Sequence, residues 1–125
     1  MKNKTTKLLA NKTMNSDVYK LRTQVIELIY EIKKIQDLPR IDVRITDDAE
    51  LTLGVAQLSS NIIWISERAI KDNRFDLRTV VYHEVLHAVY GILHDESCPL
   101  MKSKHTPLTK ELCQSLFMKY ARKQA

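Results

Sequence analysis

Glycine occurs twice, cysteine twice and proline three times in 125 residues. So little Gly and Pro excludes a collagen-like or low-complexity chain. Cys98 and Cys113 could close at most one bridge, which excludes a disulfide-stapled scaffold, and both are expected as free thiols. No uncharged apolar run approaches the roughly 18 residues that a membrane-spanning helix needs. Leu8-Leu9-Ala10 is the only apolar cluster near the start, far short of a signal-peptide core. These absences predict a cytoplasmic protein with no membrane partner.

The charge is unbalanced towards the basic side, at +5, which raises the question of an anionic partner. Lys2, Lys4, Lys7 and Lys12 lie in a Thr/Asn-rich leader that has no aromatic residue to stack on a base. Lys119, Arg122 and Lys123 lie near the other terminus. Solvated ends explain these clusters better than a nucleic-acid site does, so no nucleic-acid partner is expected.

A content of 44% hydrophobic and 28% charged residues can build a core, and the length suits one domain. Residues 1–14 show no hydrophobic period and read as a flexible basic tail before a single domain over 15–125. Val18, Leu21, Val25, Leu28, Ile29, Ile32 and Ile35 recur at helical spacing, with Ser16 as the cap and the Leu38-Pro39 step as the stop. Ile41 to Ile45 alternates as a half-buried strand does. Further strands are expected over 51–58 and 62–65, with Ser59-Ser60-Asn61 as the turn between them. Asp76 can cap a helix from Leu77 to Tyr90, and Gly91 stands where helices commonly end in a left-handed residue. A last helix is expected from Thr106-Pro107. The fold class is therefore α+β: a small mixed sheet packed on an N-terminal helix and a central helix, with a C-terminal helix.

The central helix carries His83-Glu84-Val85-Leu86-His87. Two histidines four apart project from one helical face and can reach one zinc ion, and Glu84 is placed to contact a water on that ion as a general base. Two polar residues on a solvated face would be the plainer explanation. The flanking Val80-Val81-Tyr82 and Val85-Leu86 oppose it, because a helix apolar nearly all round is buried, and buried His and Glu need partners. A catalytic zinc needs a third protein ligand. His94, just past the turn at Gly91, is the first candidate, with Asp95, Glu96 and His105 as alternatives. Cys98 as a ligand would instead give a closed structural site, in which Glu84 has no role.

The stretch from His83 to Asp95 resembles the zinc signature of the metzincin metallopeptidases, most closely the matrixin-type catalytic domain: His-Glu-x-x-His-x-x-Gly-x-x-His. One departure stands out, since three residues instead of two separate His87 from Gly91. The added residue turns the helix end by about 100°, so the following loop needs a different path. The resemblance implies a zincin-like fold and one zinc per chain held by His83, His87 and His94. It also implies a methionine turn at Cys98-Pro99-Leu100-Met101 with Met101 below the metal, and an edge strand over 53–58 that borders the substrate cleft. The implied function is hydrolysis of a peptide or protein substrate by metal-activated water, with Glu84 as general base. Three rivals remain: a zinc-containing interaction module without catalysis, a zinc hydrolase of a non-peptide amide, and a retired peptidase that holds zinc but binds instead of cutting.

Overall fold

The computed structural model describes residues 15–47, 53–72 and 76–123; the tail over 1–14 and the first two positions of the 51–58 strand lie outside them. Helix α1 (Asn15–Lys33) is followed by strands β1 (Asp42–Thr46), β2 (Gly54–Ala56) and β3 (Ile62–Ser66). Helices α2 (Glu67–Lys71), α3 (Leu77–Tyr90) and α4 (Lys110–Lys123) complete the described part. The result is a small α+β structure with a three-stranded mixed sheet.

The helical stripe of α1 behaves as its spacing predicts: Leu21, Val25, Ile29 and Ile32 are buried. They pack on β1 and α3, and Arg22 Nε ties the helix to the sheet through the Val43 carbonyl at 3.0 Å. The helix is already under way at Asn15, so Ser16 lies within it and not ahead of it. It also ends at Lys33, earlier than the Leu38-Pro39 step. Lys34, Ile35 and Gln36 still donate to carbonyls three or four residues back, so the last part unwinds through turns before the proline is reached.

In the sheet, β3 is central, parallel to β1 and antiparallel to β2. β2 is therefore an edge strand, shorter than the run expected for it. The turn before β3 has left-handed Ser59 and Asn61 (φ 57° and 61°). Their N–H groups reach the His87 and Ala88 carbonyls, both at 3.0 Å, and lock the sheet onto the end of α3. The short helix α2, capped by the Ser66 hydroxyl, was not legible from periodicity because five residues show too little of it.

Helix α3 is the centre of the molecule, with every residue from Thr79 to Ala88 buried. Asp76 caps it by accepting from Arg78 N, and Gly91 ends it at φ 66°, both as expected. Polar ties hold its first turns. Arg78 makes a two-pronged pair with the Glu31 carboxylate of α1 at 2.9 and 3.0 Å, and Tyr82 Oη donates to the same group at 2.6 Å. The last helix begins three residues later than Thr106-Pro107 suggests. Thr109 supplies the cap, accepting from Leu112 and Cys113 N–H groups. Leu108 N instead turns to Asp76 and Thr79, which holds residues 105–109, outside any helix or strand, against the start of α3. Cys98 and Cys113 are buried free thiols. No helix among the described residues is long and apolar enough to cross a membrane.

Candidate metal centre

His83 and His87 lie on successive turns of α3, and their Nε2 atoms come within 2.9 Å of each other. Each ring spends its other nitrogen on the backbone: His83 Nδ1–H donates to the Leu100 carbonyl at 2.7 Å, and His87 Nδ1–H to the Ile92 carbonyl. A carbonyl only accepts, so in the neutral rings the proton sits on Nδ1 and each Nε2 carries a lone pair. Burial keeps the rings neutral. It holds the His83 pKa down to about 3 against the opposing pull of Leu100, with His105, His87 and His94 adding to the depression. Burial likewise lowers the pKa of His87. Two lone pairs facing each other at this distance cannot hydrogen-bond, but they can share a cation at about 2.0–2.1 Å from each nitrogen. A ring fixed through Nδ1 to a carbonyl is also how metal-ligating histidines are commonly oriented.

His94 completes the group. Its ring centre lies 4.9 Å from that of His87 and 5.2 Å from that of His83. One ligand atom from each of His83, His87 and His94 falls within 4.8 Å of the others, so the three could hold a metal ion. The extra residue before Gly91 is absorbed at the helix end. Gly91 N–H reaches both the His87 and Leu86 carbonyls, and Ile92 N–H reaches back six residues to Leu86. This widened last turn sends the chain back over the helix, and the Ile92 carbonyl meets His87 on the way.

The two acidic candidates for the third position are otherwise engaged. Asp95 accepts from Ser97 and Tyr120, and those hydrogen bonds hold its carboxyl below the ordinary range. Glu96 accepts from Ser103, with the same consequence. Cys98 is in neither of the groups of potential metal ligands found among the described residues. His105 does belong to one, with His83 and Glu84, but not to the three-histidine group.

Glu84 points into the same region from the next position on α3. It is 2% exposed, its Oε1 has no hydrogen-bond partner, and burial pushes its pKa up to about 8. A buried carboxyl oxygen without a partner costs about 1–3 kcal/mol, so this atom calls for a partner that the protein itself does not supply. A cleft of about 260 Å³ opens beside it, lined by Gly54, Val55, Ala56, Leu58, Glu84, His87, Leu93 and His94. One wall is thus the edge strand and the other is the metal-capable cluster.

Gly54, expected only as part of the edge strand, lines the cleft beside Glu84. A Cβ there would stand 3.1 Å from both Glu84 Cγ and the Trp64 carbonyl, so the missing side chain is what lets β2 close over Glu84. Met101 is fully buried. It follows the Leu100 carbonyl that holds His83, in a turn closed by Met101 N to Cys98 O and Asp95 N to Met101 O. Compared with protein-family models, with curated proteins and with solved structures, the chain finds no match.

Proposed function

We propose that the protein is a zinc-dependent peptidase with a zincin-like domain, in which His83, His87 and His94 hold one ion and Glu84 is the general base. The observation that carries this reading is the setting of Glu84. It is a buried carboxyl with an unpartnered oxygen, beside imidazoles that present lone pairs, on the wall of a cleft bordered by a strand edge. Three imidazoles and an open position suit zinc, which when bound polarises a scissile carbonyl and lowers the pKa of a water to about 7.

Glu84 takes the proton of the attacking water and returns it to the nitrogen of the leaving amine as the C–N bond breaks. Burial alone raises the Glu84 pKa, and a cation held by the neighbouring histidines would oppose that rise and favour the carboxylate that a base requires. Among the described residues β2 has no partner on its outer side, so its edge at Gly54–Ala56 would offer main-chain groups to an extended peptide, which would add as a further strand. Leu58 and Leu93, exposed at the cleft, give apolar substrate side chains a surface to cover. Met101 would form the floor beneath the histidines. The strand edge is what favours a peptide over a small amide, and the absence of Cys98 from the groups of potential metal ligands among the described residues weighs against a closed structural site.

The test is cleavage of a mixed peptide library by the purified chain with one equivalent of Zn2+, with and without a chelator. Cleavage that the chelator abolishes and zinc restores supports the reading; a zinc-loaded protein that cuts nothing in the library contradicts it.

A further inference from the structure

His105 is not needed by the three-histidine group, yet it is held against it. Its ring centre lies 4.4 Å from that of His83, closer than either His87 or His94 comes to that ring. Its Nδ1 is buried without a hydrogen-bond partner. The only other buried side-chain nitrogen or oxygen in that condition among the described residues is Glu84 Oε1. Ligand atoms of His83, Glu84 and His105 lie within 4.8 Å of one another, so the two residues that carry the orphaned atoms share one cluster, and the orphaned atoms do not satisfy each other. The segment carrying His105 is not free to turn away, because Leu108 N–H is bonded to Asp76 and Thr79 at the start of α3.

We propose that Glu84 and His105 form a second, weaker seat for a divalent transition-metal cation, next to the three-histidine seat. A carboxylate and an imidazole are ordinary donors for such an ion. His83 stands between the two seats, but its Nδ1 is committed to Leu100 and its Nε2 faces His87. The second seat therefore has two side-chain donors of its own, with solvent completing the coordination, and two donors hold an ion less tightly than three. An ion there occupies the carboxylate that the proposed reaction needs as a base, so excess metal blocks turnover. This inference rests on the three-histidine reading for the first ion, but its test does not rest on turnover.

The experiment is equilibrium dialysis of the full chain against rising free Zn2+, with bound metal counted per chain. Wild type should take up one equivalent, then a second at free zinc at least about tenfold higher. His105→Phe keeps the ring and removes both nitrogens, and should retain the first equivalent and lose the second. Glu84→Gln keeps the shape of the carboxylate and should do the same, which decides the matter if the phenylalanine variant does not fold. His87→Ala should lose the tight equivalent. A wild-type stoichiometry that stops at one, or a second equivalent that survives in the folded variants as an adventitious ion only, overturns the proposal. Two equivalents with no peptide cleavage at one equivalent would sink the peptidase reading and leave the second seat standing.

Discussion

His83 and His87 turn their Nε2 lone pairs on each other at 2.9 Å while their Nδ1 protons are held by the Leu100 and Ile92 carbonyls. The repulsion in this arrangement disappears when a cation lies between the rings. His83→Ala and His87→Ala are accordingly expected to lower zinc affinity by at least about a hundredfold, measured by competition with a chelating dye.

Glu84 should separate binding from turnover. Glu84→Gln leaves the three histidines in place, so one equivalent of zinc is retained at low free metal and the far-ultraviolet circular dichroism is unchanged. Turnover is expected to fall at least about a hundredfold. A variant that still cleaves at the wild-type rate would show that the base lies elsewhere.

Of the chain's two glycines, Gly54 lines the cleft and Gly91 ends the helix that carries His83 and His87. At Gly54 a larger residue meets Glu84 Cγ and the Trp64 carbonyl, so Gly54→Val should displace the carboxylate and reduce turnover about a hundredfold without loss of bound zinc. At Gly91 the cost is one of stability. The backbone is left-handed, and an added Cβ would come 2.6 Å from Ser59 Oγ. Gly91→Ala is expected to destabilise by about 1–2 kcal/mol in urea unfolding. Adding Ser59→Ala should recover the steric part of that loss and leave the conformational part.

Glu31 makes the fold sensitive to acid. Burial alone would raise its pKa, but hydrogen bonds from Arg78 and Tyr82, with the charges of Arg78 and Lys110, outweigh burial and hold it below its ordinary 4.5. The folded state therefore binds this proton less readily than the unfolded one. Its contribution is complete above pH 4.5 and is lost as the pH falls through the depressed folded value. Glu31→Gln should be less stable than wild type at neutral pH, by about 1–3 kcal/mol, because Arg78 loses its two-pronged partner. The gap should narrow in unfolding curves below pH 4.5.

Much of this arrangement could be read in advance where the signal is local. The histidine pair, the Asp76 cap, the Gly91 stop and the buried character of α3 follow from spacing and cap chemistry within a few residues. Boundaries set by tertiary contacts could not be read. Thr106-Pro107 looks like a helix start, but Leu108 is claimed by Asp76 and Thr79, so Thr109 caps the helix instead. The role of Gly54 depends on a contact with Glu84, 30 positions away, which periodicity does not register. The site of His105 is equally non-local: no sequence spacing separates a third ligand from a neighbour of Glu84, and only the packing of 105–109 across α3 does so.

The most direct test of the three-histidine centre is zinc stoichiometry of wild type beside His94→Ala, with peptide cleavage followed in the same samples. His94 is exposed and lies in a loop, so its removal should spare the fold. The expected result is one tightly held zinc and chelator-sensitive cleavage in wild type, with most of the zinc and all of the cleavage lost in the variant. Full retention of zinc in His94→Ala, or cleavage indifferent to the chelator, would contradict the account.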